Sequence, residues 1–324
     1  MRHLILVGAC YLDTILTVPH FPEEDSKLRA TTLQVRRGGN CPNSLQVLAQ
    51  LLAAVGPQQH HPPIKLHMVS CLPDAHAAAT GKILASFGDG DSDGGGSPEK
   101  AIDFSHCLFR AGHEEPASSY IIRSGETGSR TIVNFNHLPE MTTGEFEKIA
   151  DAFTQHGDEC WWHFEGRMPA TTLSCIRYLR QVVPGSTVSV EVEKPNREGL
   201  VELAAEADVV FYSRSWAESR GYTTPEACLR AEAASSKASL MLCTWGEQGA
   251  GALAVSGGEY IHHPATLPRE GISVVDTIGA GDTFIAGMLY GLHADAWSRE
   301  AKLAFAVGLA TKKVRREGFA GLVP

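Results

Sequence analysis

Val275-Asp276-Thr277-Ile278-Gly279-Ala280-Gly281-Asp282-Thr283-Phe284 is an extended run that breaks into a glycine turn and re-forms as a helix. From Asp282 onward the apolar residues fall at helical spacing, with Phe284 and Met288 on one stripe and Ile285, Leu289 and Leu292 on the next. Gly279 and Gly281 lack a Cβ, so the backbone there can aim successive N–H groups at one point. A helix start adds unpaired donors and about half a positive charge, which together suit a phosphate or a developing phosphoryl anion. A carboxylate at that spot repels phosphate, so Asp282 is useful only if it accepts a hydroxyl proton. The pattern therefore points to phosphoryl transfer onto an alcohol. The plain alternative is that Asp282 caps its helix.

The words around the turn narrow the choice. Asp-Thr-x-Gly-Ala-Gly-Asp-Thr-Phe resembles the C-terminal signature of the ribokinase-like, or PfkB-type, carbohydrate kinases. The resemblance implies that Asp282 is the catalytic base and that the backbone of Gly279, Ala280 and Gly281 is the anion hole. Earlier in the chain, Arg36-Arg37-Gly38-Gly39-Asn40-Cys41-Pro42-Asn43-Ser44 is a glycine turn entering a helix marked by Leu45, Leu48, Ala49, Leu52 and Val55. Its Asn amides can read neighbouring hydroxyls or simply serve the turn. Asp13, Gly39, Asn40 and Asn43 match in order the family's sugar-binding positions, which with Asp282 would grip the acceptor. Further wording resembles the fructose-phosphorylating branch of the family: Glu24-Asp25-Ser26, Gly128 to Val133, Glu165-Gly166-Arg167 and Val190 to Pro195. It runs from about residue 3 to the C-terminus and breaks mainly at 88–98.

With 324 residues, 43% hydrophobic and 20% charged, the chain has room for one large α/β domain and an appendage. The formal net charge of −9 argues against a nucleic-acid or anionic-membrane partner. The basic knot Lys312-Lys313 with Arg315-Arg316 is expected to decorate a helix end. Leu4 to Cys10 reads as a strand, not a targeting segment, and no run reaches spanning length, so a cytoplasmic protein is expected. The eight cysteines form no Cys-x-x-Cys pair, and most of them read as reduced core residues. His60-His61 and His262-His263 lack zinc-ligand spacing.

Taken in order, His3 to Ala9 is a continuous apolar run of the kind found in a covered parallel strand. Residues 14–35 look like edge strands and turns outside the main sheet. The stretch Gly88 to Pro98 reads as a glycine-rich surface loop, and Lys100 stands where a calcium loop would close on Glu. Ser118 to Arg123 and Arg130 to Phe135 flank a turn and form a hairpin signature. After residue 140, strands at 160–164, 187–192, 209–212 and 240–243 alternate with helices near 143–156, 169–182, 225–236 and 299–314, which implies a mostly parallel sheet. Ligands then bind beyond the strand C-terminal ends, where Asp13, Glu165, Glu191, Glu193, Trp245 and the Gly279 turn can converge.

The resulting expectation is α/β: a ribokinase-like three-layer α/β/α domain (1–13, 36–116 and 136–324) with a small antiparallel β lid (14–35 and 117–135). A lid keeps water from the transferring phosphate. The resemblance implies that Arg130 binds nucleotide phosphate, against the alternative of a solvated hairpin charge, and that Gly246, Glu247, Gln248 and Gly249 form the nucleotide turn. ATP is the implied co-substrate and Mg2+ arrives with it; a monovalent cation is allowed. Ser213-Arg214-Ser215-Trp216 lacks the family's Asn-x-x-Glu, so no protein ligand is named for the metal. The expected partners are a sugar and ATP, with a homodimer formed through the lids. Three functions stand at this point: a kinase making fructose 1-phosphate, a kinase for another sugar or a nucleoside, and a non-catalytic sugar-responsive protein.

Overall fold

A computed structural model describes residues 1–55, 63–88, 101–154, 158–266 and 274–323. The first half of the chain runs β1 (Arg2–Val7), β2 (Tyr11–Val18), β3 (Thr32–Gly38), α1 (Asn40–Val55), β4 (Ile64–Val69), β5 (Cys71–Leu72), α2 (Ala78–Ala85), β6 (Ile102–Asp103) and β7 (Leu108–Phe109). The hairpin β8 (Ala117–Ser124) and β9 (Arg130–Phe135) follows, then α3 (Thr143–Asp151), β10 (Glu159–Phe164), α4 (Pro169–Val182), β11 (Thr187–Val192), α5 (Leu200–Ala205) and β12 (Val209–Tyr212). The last part contains α6 (Arg214–Ser219), α7 (Pro225–Ala233), β13 (Leu240–Thr244), β14 (Ala250–Ala254), β15 (Glu259–His263), α8 (Ala280–Leu292) and α9 (Arg299–Val314).

Among the described residues, nine strands form the main sheet in the order β15-β14-β13-β12-β11-β10-β1-β4-β6. From β6 to β13 every neighbouring pair is parallel, and β14 and β15 extend the sheet antiparallel. The strands are apolar on both sides because both faces are covered. On one face Leu45 of α1, Met288 of α8 and Leu303 of α9 share a core. On the other, Phe146 of α3, Ile176 of α4, Leu203 of α5 and Leu229 of α7 share a second. This is the expected three-layer α/β/α sandwich.

A separate four-stranded sheet, β3-β2-β8-β9, combines antiparallel β2–β3 and β8–β9 pairs with a parallel β2–β8 pair. Asp13, Ser119 and Asn134 occupy one row of its inner face, and Val35, Tyr120 and Val133 one row of its outer face. The stretch 88–98 lies outside the described residues beyond Gly88.

Two local expectations differ from the structure. Helix α8 is buried all the way round from Asp282 to Gly291, not on a stripe, because it lies between the sheet, α1 and α9. Lys312 and Lys313 do lie in the last turn of α9, but Lys313 is fully buried instead of decorating the surface, and its Nζ donates to Asp276 Oδ2 at 2.8 Å.

Candidate active site

Above the C-terminal ends of β1, β10 and β11 lies a cavity of about 630 Å³, closed on one side by the inner face of the small sheet. Asp13, Gly39, Asn40, Asn43, Arg130, Gly279, Gly281 and Asp282, all singled out in the sequence, line it. A second cavity of about 390 Å³ adjoins it, lined by Gly246, Glu247, Gly249 and Ala280 and walled by apolar residues of α9. Thr244, Thr277, Gly281 and Phe284 face both cavities. Gln248 lines neither, and Trp245 is buried in the core beneath the turn instead of facing the site, with the Arg214 guanidinium 5.7 Å from its ring.

The turn before α8 is held by its own bonds. Gly279 adopts φ +80°, and a Cβ there would come within 2.2 Å of the Phe319 ring, so both conformation and space require glycine. Its carbonyl accepts from Thr283 N at 2.9 Å and Thr283 Oγ1 at 2.8 Å. The Asp276 carboxylate holds the approach: Oδ1 accepts from Ile278 N at 2.9 Å, and Oδ2 from Arg36 Nη1 at 3.1 Å as well as from Lys313. Of the three amides expected to face an anion, Ala280 N–H already reaches Thr277 O at 3.3 Å. Among the described residues Gly281 faces open space, since a Cβ there meets nothing within 4 Å.

Asp282 is 9% exposed, and its Oδ2 accepts from Asn43 Nδ2 at 2.8 Å. Arg37 Nη1 donates to Asn43 Oδ1 at 3.1 Å, which fixes the amide so that its NH2 faces the carboxylate. The role of Arg37 escapes sequence reading, because nothing in a short motif says which Asn oxygen it meets. Burial, followed by the repulsion of Glu191, pushes the Asp282 carboxyl well above the usual carboxylate range. Gly39, at φ +105°, lets the chain pass Ala9, whose carbonyl would lie 2.2 Å from an added Cβ. Asn40 Nδ2 then donates to Glu191 Oε2 at 2.6 Å and Glu193 Oε2 at 3.0 Å.

Glu191 is buried and Glu165 half-buried in the cavity wall; desolvation, reinforced by the charge of Glu191 on Glu165 and of Glu193 on Glu191, pushes each up to about 8. Asp13 is also raised, chiefly by burial. Arg130 Nη1 donates to Thr277 Oγ1 at 2.8 Å, tying the small sheet to the α8 turn. Ser119, Asn134, Arg167 and Lys194 also line the cavity. The two on the small sheet carry one sequence signal, the alternation of β8 and β9, which puts them on the inner face.

A buried carboxylate of raised basicity, set beside a helix start and between a polar and an apolar cavity, is the layout of a kinase acting on a small alcohol. Residues 99–324 match the model of the pfkB family of carbohydrate kinases. The chain belongs to that family, and by class it is an ATP-dependent sugar kinase. Within the family it is ketohexokinase-like: it is similar to ketohexokinase of Mus musculus, at 31% identity over 99% of each chain. Its fold is that of solved ribokinases. The structure of ribokinase from Giardia lamblia overlaps it with a TM-score of 0.75 at 16% identity, covering 100% of this chain and 96% of the other. Arabidopsis thaliana ribokinase complexed with ribose and ATP overlaps with a TM-score of 0.71 at 18% identity, covering 99% and 95%.

Proposed function

We propose that this chain transfers the γ-phosphoryl group of ATP to fructose and forms fructose 1-phosphate. The supporting observation is the meeting of the two cavities at Gly281, directly beside Asp282 in the larger one. The larger, lined by Asp13, Asn40, Asn43 and Asp282, suits a polyhydroxylated sugar. The smaller has the glycine turn 246–249 on one side and apolar side chains on the other, which suits a nucleotide.

In this reading Asn43 and Arg37 hold the Asp282 carboxylate so that it accepts the proton of the attacking hydroxyl. The open space before Gly281 receives the transferring group, whose charge is met by the first amides of α8 and by Arg130. Mg2+, held mainly by phosphate and water, would neutralise phosphate charge; Glu191 and Glu193, paired on the Asn40 amide, fit its outer shell. A monovalent cation is compatible with the same reading. The small sheet acts as a lid that keeps water from the reacting group. Its apolar outer face pairs with that of a second copy, and the enzyme works in the cytoplasm.

A coupled ADP-release assay across fructose, ribose, tagatose and adenosine, with the product position read by carbon NMR, tests the assignment. Fructose with phosphate on C1 is expected to have the highest kcat/KM. Preference for another acceptor would replace the substrate, and sugar binding by calorimetry without turnover would replace the kinase with a binding protein.

A further inference from the structure

At the β6 edge of the main sheet, remote in the strand order from the nucleotide turn, three side chains converge that phosphoryl transfer does not use. His67 on β4 and Asp103 on β6 are direct partners in the parallel register, so they leave the same face of the sheet. His106 lies in the turn just after β6, and one ligand atom from each of the three lies within 4.8 Å of the others. His67 is 2% exposed, and its Nδ1 has no hydrogen-bond partner among the described residues. Such a buried nitrogen calls for an explanation.

Its ring is oriented from behind. His67 Nε2 lies 2.9 Å from His3 Nδ1, and His3 Nε2 lies 3.2 Å from Asp158 Oδ2. With the Asp158 carboxylate accepting His3 Nε2–H, His3 Nδ1 accepts His67 Nε2–H, and His67 Nδ1 keeps a bare lone pair. That lone pair faces Asp103 Oδ2 at 3.5 Å. Two electron-rich atoms so placed repel unless a cation or a proton lies between them.

We propose that His67, Asp103 and His106 form a binding site for a divalent transition ion of the zinc class, with solvent completing its shell. Two imidazoles and a carboxylate are the donors that borderline ions take. The Asp158–His3 chain supplies the outer-shell orientation that such sites use. Phe153 walls the cluster, its ring centroid 5.1 Å from that of His67 and 4.8 Å from that of His106. Lys65 is the ion's competitor: its Nζ lies 2.7 Å from Asp103 Oδ2, on a side chain exposed enough to swing into solvent.

Titration of the full chain with Co2+, followed by visible absorption, and with Zn2+, followed by competition with a chromophoric chelator, tests the site. One equivalent with tetrahedral d–d bands and no thiolate charge-transfer band is expected. His106→Ala should abolish this binding while kinase activity and the thermal melt are retained. His3→Ala should weaken it by about 10- to 100-fold, and Lys65→Met should tighten it. Unchanged affinity in His106→Ala, or no saturable binding by the intact chain, would overturn the assignment. So would a thiolate band, which would move the ion to the buried Cys41, His163 and Glu191 cluster.

Discussion

As the proposed base, Asp282 has to satisfy opposed requirements. Burial makes it basic enough to take a proton, yet it works only when ionised, and the Asn43 amide bond favours the ionised form. Asp282→Ala should lower kcat by on the order of 10² to 10⁴, the usual worth of a positioned base, with an unchanged melting curve. Equal kcat in wild type and variant would remove the proposed base. The raised carboxyl should also set the acidic limb of the kcat/KM–pH profile above the ordinary aspartate value of about 3.9. After burial, the charge of Glu191 is the main cause of that rise. Glu191→Gln deletes a negative charge, makes ionisation of Asp282 easier and should move the limb to lower pH. A limb that stays in place or moves up would assign the titration to another group.

At the level of elements, the α8 turn depends on a buried charge cluster. Asp276 bridges Lys313 of α9, Arg36 of β3 and the backbone of the turn, so helix, small sheet and turn share one carboxylate. Lys313→Met leaves that carboxylate with less compensation, and breaking a buried pair costs about 3–5 kcal/mol. Urea denaturation should show a loss of that order; a change below about 1 kcal/mol would mean that Arg36 alone neutralises Asp276. This cluster also marks where sequence reading stops. The strands near 160, 187, 209 and 240 are legible because a doubly covered strand is a continuous apolar run bounded by polar turns. The convergence of Asp13, Asn40, Asn43 and Asp282 follows from the rule that parallel sheets bind ligands at their C-terminal ends. The burial of Lys313 depends on a partner 37 residues earlier, which no local pattern encodes. His67 is hidden for the same reason: its neighbours His3 and Asp103 come from β1 and β6, and only strand register brings them together.

Across the whole molecule, the small sheet has two faces of opposite character. The inner face carries Asp13, Ser119 and Asn134 into the cavity. The outer carries Leu33, Val35, Tyr120, Val133 and Phe135, each between 45% and 65% exposed. Single exposed apolar side chains are ordinary, but a run of them on one sheet face marks a surface that is covered in use. Both outer strands, β3 and β9, are also sheet edges, which offer unpaired backbone groups to a second chain. In the proposed pairing a second copy of the same sheet would supply matching apolar surface through a two-fold interface, the commonest oligomeric arrangement. Sedimentation velocity should therefore give twice the chain mass for the wild type. Val133→Glu, which puts a carboxylate in the middle of that face, should give the chain mass at the same concentration. Because Arg130 at the start of β9 is tied to Thr277, loss of the partner should loosen the small sheet, the proposed lid, and raise the sugar KM more than it lowers kcat. A wild type that sediments as a single chain would refute the pairing, and a Val133→Glu dimer would put the interface elsewhere.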